Sequence, residues 1–378
     1  MEPVTHFLTG ACMARAGLNR KAAYATLAMT LAAETPDLDV LWSVRGPVAN
    51  FQHHRGITHT FLALPVEALV VVGFVWLVHW WRERRLHRAE SFFPDRAGAT
   101  PPSLTAAPVR WGLLYGFVLI ALLSHLLLDW TNNYGVRPLF PFNPHWYEGS
   151  FVFIFEPVIF VLLLVGLIAP ALFGLVSAEV GARRTPFRGR GWAVFALLGV
   201  VAVWGLRWYE HASAVDLAQN AAYGRPGSMP APVLRVTANP YPTNPFRWHT
   251  VVDTPGFYQI ARVDTLHSVV DTDPGRDLIA KPEQTAAVKA ADRSWLGRVY
   301  LDWSSWPLVT DIGPETPEED PPGAPAWTGV SYRDLRFQYD TFLSNIAKSA
   351  NAPPLSAWVY VGPQGRVERM QFGNTVQK

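Results

Sequence analysis

The stretch that decides the fold is WGLLYGFVLIALLSHLLLDW, which runs from Trp111 to Trp130. It is long enough to cross a bilayer, because a spanning helix needs about 17–25 mostly apolar residues. Tryptophans bound it at both ends, and tryptophan favours the membrane–water interface. Its last turns carry His125 and Asp129, whose i, i+4 spacing places both side chains on one helical face. This segment therefore predicts both a membrane helix and a polar site at its end.

Three further apolar runs, at residues 61–81, 151–176 and 192–208, have a similar character. Buried helices of a large soluble core are the alternative, but tryptophans at several run ends favour a membrane. Residues 5–33 contain two shorter apolar runs, Thr5–Leu18 and Ala22–Ala33. They predict a short helical hairpin packed against the spans, and the sequence leaves open whether this hairpin crosses the bilayer or re-enters on one side.

Composition separates this region from the rest of the chain. Only 16% of the 378 residues are charged, whereas a soluble globular chain has about 25%. Residues 1–208 carry a net charge of +5 and residues 209–378 carry −3. The overall formal charge of +2 argues against a nucleic-acid partner, and the single Cys12 excludes a disulfide scaffold. The predicted fold class is α+β, with a polytopic α-helical membrane domain at 1–208 and a soluble β-rich domain at 209–378.

Clusters of arginine predict the orientation in the membrane. One cluster, residues 82–88, follows the first long run, and another, residues 183–190, follows the third. Because positively charged loops stay in the cytoplasm, we expect residues 34–60 and 131–150 on the outer side. The same reasoning places residues 209–378 outside the cytoplasm and the Pro/Ala/Ser-rich stretch 89–109 within it.

The second domain shows short runs of strand-forming residues bounded by Pro, Gly or Asn. We expect strands at residues 233–237, 250–253, 256–263, 296–302 and 358–361. Residues 282–293 have helix-forming composition, and residues 307–325 are typical of an exposed loop.

The predicted topology places the ionisable residues at the outer face of the membrane. The exception is the N-terminal hairpin, for which the side of the membrane is not fixed independently. The candidate metal ligands are His6, Asp37, Asp39, His54, His59, His125, Asp129 and Glu156. Imidazole nitrogens and carboxylate oxygens are both Zn²⁺ ligands, and ionisable groups in a membrane domain are functional candidates by default. Taken singly, each group has a structural alternative: His125 and Asp129 as a hydrogen-bonded pair, Asp37 as a helix cap, His54 and His59 as interfacial residues, and Glu156 as a partner of a neighbouring helix.

Taken together, these groups predict one or two divalent ions, with Zn²⁺ favoured. A catalytic zinc usually keeps only three protein ligands, so the larger set indicates either two metals or additional residues that orient the ligands. Arg55 is the candidate catalytic residue, because a guanidinium can hold an anionic oxygen through two hydrogen bonds.

The order of these motifs resembles the YdjM-type family of inner-membrane proteins. The resemblance covers roughly residues 1–175. It rests on Thr5-His6 with Gly10, Pro36-Asp37-Leu38-Asp39, His54-Arg55-Gly56-Ile57-Thr58-His59-Thr60, and Ser124-His125 with Asp129 and the later Gly135. It implies a metal-dependent hydrolase embedded in the inner membrane, with conserved polar positions at His6, Asp37, Asp39, His54, His59, His125 and Asp129. Two departures are Glu156-Pro157, where Asp-Pro is frequent, and Thr60, where Ser is common.

The leading functional hypothesis is a membrane-bound, metal-dependent hydrolase of an ester or phosphoester. The interfacial position favours membrane lipid as the environment and an amphiphilic, lipid-like substrate. One alternative is an ion- or proton-coupled transporter, in which the same residues form a cation pathway. Another is a non-enzymatic anchor that presents residues 209–378. The sequence does not determine the substrate or the oligomeric state.

Overall fold

The computed structural model describes residues 1–92, 105–179, 189–225, 227–273, 275, 277–315, 326–339 and 354–377, and it describes no side chains for 87–92 and 174–179. The chain divides into two compact units. The first contains Met1–Leu38 and Arg55–Trp208, and the second contains Asp39–His54 and Tyr209–Lys378. The last residue of the first unit is Trp208. The sequence did not predict that residues 39–54 belong to the second unit.

Helices account for most of the first unit. In the described residues the α-helices are α1 (Pro3–Arg15), α2 (Ala25–Ala32), α3 (Pro47–His53), α4 (Leu64–Phe92), α5 (Trp111–Trp130), α6 (Pro157–Glu179), α7 (Arg190–Asn220), α8 (Ala286–Asp292) and α9 (Trp295–Trp303). Short 3₁₀ segments occur at Leu18–Arg20, Pro36–Arg45, Ile57–His59 and Leu335–Phe337. The mixed helix-and-sheet class is confirmed.

Three described helices are long and apolar enough to cross a membrane: Leu64–Leu86, Trp111–Trp130 and Arg190–Asn220. The run expected at 151–176 becomes helical only at Pro157, and its part with described side chains, Pro157–Phe173, is a shorter apolar helix. Proline is favoured at the first helical position, because its missing N–H has no intrahelical acceptor there. A fourth span therefore stays a prediction. The last span is longer than expected, since α7 continues to Asn220.

The N-terminal segment folds as the expected pair of short helices, α1 and α2. They approach closely at Gly10, where a β-carbon would lie only 2.5 Å from the carbonyl oxygen of Met29. Small alanines of the hairpin pack against leucine and valine of α5 in one core that includes Ala25, Ala28, Ala32, Leu114, Val118 and Leu122. This packing holds the ends of α1, α2 and α5 together.

The second unit contains two antiparallel sheets. The first has the order β1 (Arg235–Pro240), β2 (Arg247–Asp253), β3 (Phe257–Asp264), β4 (Val269–Asp271), with β5 (Leu278–Ala280) also paired to β3. The second has the order β10 (Thr375–Val376), β9 (Val367–Phe372), β8 (Ala357–Val361), β7 (Trp327–Asp334), β6 (Pro307–Glu315). The β-rich prediction is confirmed, whereas the extracytoplasmic location stays a prediction.

Two predictions within this unit are wrong. Residues 296–302 form helix α9 and not a strand, because the Ser294 side chain caps the helix by accepting from the Gly297 N–H and the buried Leu296, Tyr300 and Trp303 recur at helical spacing. Residues 307–315 form strand β6, which pairs along β7, and not a loop. The rest of that predicted loop, residues 316–325, lies outside the described residues, as does most of the predicted linker 89–109.

Candidate metal centre

Four of the predicted ligands meet in the first unit. Asp37, His59, His125 and Asp129 each offer a ligand atom, and these atoms all lie within 4.8 Å of one another. The side chains of His59, His125 and Asp129 are fully buried, and that of Asp37 is 18% exposed. Groups from the 3₁₀ segments after α2 and α3 and from the end of α5 thus converge on one point.

The separations that involve the two histidines are close to those of a tetrahedral zinc site. The two histidine Nε2 atoms are 3.1 Å apart, and they lie 3.3 and 3.4 Å from Oδ2 of Asp129. Oδ1 of Asp37 is 3.5 Å from His59 Nε2 and 3.6 Å from His125 Nε2. Tetrahedral ligation with bonds of about 2.0–2.1 Å gives ligand atoms separated by roughly 3.3 Å. The donor set, two imidazoles and two carboxylates, is one that zinc accepts.

Asp129 provides a second indication, because its two oxygens have different surroundings. Oδ2 is buried and has no hydrogen-bond partner, although both imidazoles are close to it. A buried polar atom without a partner costs free energy that a bound cation would recover. Oδ1, in contrast, accepts from the guanidinium of Arg55 at 2.7 Å.

The two histidines of the site are oriented by one contact to the backbone and one to a side chain. Nδ1 of His125 lies 2.7 Å from the carbonyl oxygen of Ala33, at the end of α2. A carbonyl can only accept, so Nδ1 carries the proton and Nε2 presents a lone pair toward the cluster. Nδ1 of His59 lies 3.1 Å from the hydroxyl of Thr58.

Arg55 holds Asp129 and the loop that follows it. Its guanidinium donates to the Asn132 side chain at 3.2 Å and to the Gly135 carbonyl at 2.9 Å, and it lies over the Tyr134 ring at 4.8 Å. Arg55 is only 4% exposed and adopts a left-handed backbone conformation with φ of 51°. Its described contacts are those of a residue that positions Asp129.

His6 borders the cluster but is not among its four members. Its ring stacks on that of His125, with centroids 3.8 Å apart, and its Nε2 lies 3.3 Å from Oδ1 of Asp129. The amino group of Met1 also contacts Asp129 Oδ1 and lies 3.0 Å from His6 Nε2. His6 therefore lies on the Oδ1 side of Asp129, against the ring of His125.

Asp37 and the nearby Glu34 differ in their pKa values. Burial raises the pKa of Asp37, but its contacts with His59 and His125 outweigh burial and hold this pKa well below the usual range. Burial, aided by the charge of Asp37, raises the pKa of Glu34 to about 7. Glu34 Oε1 is buried without a hydrogen-bond partner. The Glu-Thr-Pro-Asp motif pointed to Asp37 but not to this companion residue.

Three predicted ligands are placed elsewhere. Asp39 and His54 belong to the second unit, where His54 Nδ1 lies 3.3 Å from Asp39 Oδ1. Glu156 is fully buried in the first unit and forms an ion pair of 2.6 Å with Arg207 of α7. An opposite charge is the usual requirement for burying a carboxylate. The sequence analysis missed Arg207, whose only signal is a lone arginine within an apolar run.

A helical membrane unit with a buried His/Asp cluster at its helix ends defines the class of this protein: a membrane protein with a candidate metal site. The family model "YdjM inner membrane protein" matches residues 1–214. The chain therefore belongs to the YdjM inner membrane protein family, which confirms the resemblance seen in the motifs.

One curated relative shows a weaker similarity. The uncharacterized protein YfhP of Bacillus subtilis (strain 168) is 23% identical over 140 residues, which cover 37% of this chain and 35% of YfhP. The match thus spans about a third of that relative. No solved structure matches this chain significantly.

Proposed function

We propose that this protein is a membrane-bound, metal-dependent hydrolase that cleaves an ester or phosphoester of a lipid-like molecule at the outer face of the inner membrane. The observation that carries the proposal is the convergence of Asp37, His59, His125 and Asp129, whose ligand atoms lie within 4.8 Å of one another. A bound divalent ion would lower the pKa of a coordinated water, which could then attack the substrate. Zn²⁺ is the favoured ion. Because a catalytic zinc usually keeps three protein ligands and an open position for water, three of the four groups would bind it and the fourth would lie beside the water.

The chain supplies the arrangement of the site. His59 and His125 offer neutral nitrogens, and the Ala33 carbonyl orients the latter. Arg55 neutralises Asp129 and keeps Oδ2 directed at the imidazoles. Its predicted role on an anionic substrate oxygen stays a hypothesis, because its described hydrogen bonds go to the protein.

Surface chemistry around the site supports an amphiphilic substrate. Asp37 is the most exposed of the four candidate ligands, so it marks the open side of the site. Large apolar side chains adjacent in sequence to the ligands are exposed: Leu38 by 57%, Ile57 by 49% and Phe61 by 51%. An acyl chain would cover such residues while a polar head group reaches the acids.

Metal analysis of the detergent-purified protein, prepared without chelators, tests the proposal. Wild-type protein should carry about one zinc per chain, and the His125→Ala, Asp129→Ala double variant should lose it. The matched control is Asp264→Ala, His267→Ala, which removes one acid and one imidazole from an exposed turn where they lie 3.0 Å apart. Metal-free wild-type protein would count against the hydrolase.

An activity screen separates the proposal from its alternatives. Soluble nitrophenyl esters, nitrophenyl phosphodiesters and fluorescent phospholipids in mixed micelles are suitable probes. A hydrolase turns over at least one of them, and the double variant does not. A transporter would instead move the cation across proteoliposomes without hydrolysis, and a pure anchor would do neither.

A further inference from the structure

Residues 39–54 connect two parts of the candidate metal site, yet they belong to the other unit of the protein. The first unit ends one segment at Leu38, immediately after Asp37, and resumes at Arg55. The intervening residues pack within the second unit. We refer to residues 39–54 as the strap.

One aromatic side chain, Phe51, which we call the anchor, packs the strap against the rest of the second unit. Phe51 of α3 is 6% exposed. Its ring centroid lies 4.4 Å from that of Phe372, 5.1 Å from that of Trp303 and 5.8 Å from that of Tyr300. Aromatic clusters of this kind bury large apolar areas, and paired rings add stability beyond that burial.

Hydrogen bonds reinforce the anchor on both sides. The Trp295 indole donates to the side-chain oxygen of Gln52 at 2.8 Å. Gln377 accepts from the Val48 backbone N–H at 2.9 Å and donates to the Arg45 carbonyl at 3.1 Å. The strap is therefore fixed through both its backbone and its side chains.

The two ends of the strap meet. Asp39 is its first residue and His54 its last, and their side chains lie 3.3 Å apart. Asp39 is 4% exposed. Asp39 and His54, which the sequence predicted as metal ligands, instead contact each other and bring the two ends of the strap together.

We propose that the second unit positions the metal ligands of the membrane unit by holding the strap, with Phe51 as the principal positioning residue. The inference rests on the metal site proposed above. Consecutive Cα atoms are about 3.8 Å apart, so Asp37 and Arg55 have little freedom once Asp39 and His54 are fixed. Functional constellations tolerate displacements of only about 0.5 Å. The C-terminal domain thereby acquires a role that family membership does not assign to it.

Hydrogen–deuterium exchange and zinc competition on the full-length protein test this proposal. The variant Phe51→Ala removes the anchor, and Phe51→Leu keeps apolar bulk in the same place. The matched control is Phe337→Ala, because Phe337 is also 6% exposed and also stacks on Trp303, at 5.7 Å, but lies outside the strap. Gln52→Ala is a milder variant, which removes the hydrogen bond from the Trp295 indole and keeps the test decisive if Phe51→Ala does not fold.

We expect Phe51→Ala to speed amide exchange in residues 55–60 about tenfold and to weaken zinc binding about tenfold. Gln52→Ala should act in the same direction to a smaller extent, Phe51→Leu should largely restore both quantities, and Phe337→Ala should change neither. Equal effects of Phe51→Ala and Phe337→Ala, or no effect of the strap variants, would overturn the proposal. If wild-type protein binds no zinc, the proposed function fails, and exchange in residues 55–60 alone decides the role of the strap.

Discussion

At the scale of single residues, Asp129 is the centre of the candidate site. One of its oxygens faces two imidazoles and the other accepts from Arg55, and all of these side chains are almost completely buried. A buried ion pair contributes little net stability, but removing one partner leaves an uncompensated charge. Arg55 should therefore be needed for folding as well as for the shape of the site.

The first prediction concerns this pair. Arg55→Gln should lower the free energy of unfolding by about 3–5 kcal/mol, because Asp129 loses its buried counter-charge. Arg55→Lys should lie between this variant and the wild type, since an ammonium keeps the charge but not the planar fork of donors. Denaturant titration in detergent measures both. The exposed Arg110→Gln serves as the control and should change stability by less than about 0.5 kcal/mol; an equal effect of the two glutamine variants would contradict the prediction.

A second prediction concerns pH and the second unit. Burial lowers the pKa of His249 to about 4, although its hydrogen bond to the Leu335 carbonyl opposes the shift. A histidine with a depressed folded-state pKa contributes stability above its unfolded pKa of about 6.5 and loses it as the pH falls toward 4. The loss should amount to about 3 kcal/mol across this interval.

The variant His249→Gln checks the sign of this dependence. It keeps a side-chain donor for Leu335 but does not titrate, so its unfolding free energy should change less between pH 6.5 and 4 than that of the wild type. His267→Gln, at a residue whose side chain is 67% exposed, should keep the wild-type slope. Parallel pH profiles for the wild type and His249→Gln would contradict the assignment.

At the scale of helices, the α1–α2 crossing positions the metal site. Ala33 follows α2 and supplies the carbonyl that orients His125, while α1 carries His6 against the same ring. The crossing is close because Gly10 has no side chain there: a β-carbon would lie 2.9 Å from that of Ala33. Helix packing and ligand orientation therefore depend on the same contact.

The third prediction follows from this crossing. Gly10→Ala should force the two helices apart and lower the unfolding free energy by about 1–3 kcal/mol, the usual cost of overpacking. Zinc affinity should fall as well, because Ala33 moves away from His125. Gly116→Ala in α5 is the matched control, since no atom would lie within 4 Å of its β-carbon. Thermal unfolding and zinc competition distinguish the two variants; identical behaviour would show that the crossing tolerates a side chain.

At the scale of the whole molecule, orientation follows from charge. The arginines after the first long span also pack on its terminal aromatic residues, with Arg84 3.7 Å from the centre of the Trp80 ring and Arg85 3.7 Å from that of Trp81. Tryptophan is enriched at both membrane–water interfaces, whereas arginine-rich loops are typical of the cytoplasmic side. We therefore expect the second unit outside the cytoplasm.

Cysteine labelling of intact cells checks this fourth prediction. Cys12→Ala removes the only cysteine of the chain. In that background, Met229→Cys, at a residue that is 90% exposed, should react with a membrane-impermeant maleimide. Val109→Cys, at a position that is 40% exposed, should react only after the membrane is opened. If only Val109→Cys reacted in intact cells, the predicted orientation would be wrong.

The sequence by itself determined the properties that depend on local composition and spacing. Long apolar runs, arginine clusters and the i, i+4 pair of His125 and Asp129 indicated the membrane helices and part of the candidate site, because helix formation and membrane preference act over about 20 residues. Tertiary structure alone decided which of the eight candidate ligands meet. Packing of α1, α2 and α5 brings His59 and Asp37 to Asp129, whereas Asp39 and His54 are drawn into the second unit by the burial of Phe51, and Glu156 pairs with Arg207. These outcomes depend on contacts between residues far apart in the chain, which local patterns do not encode.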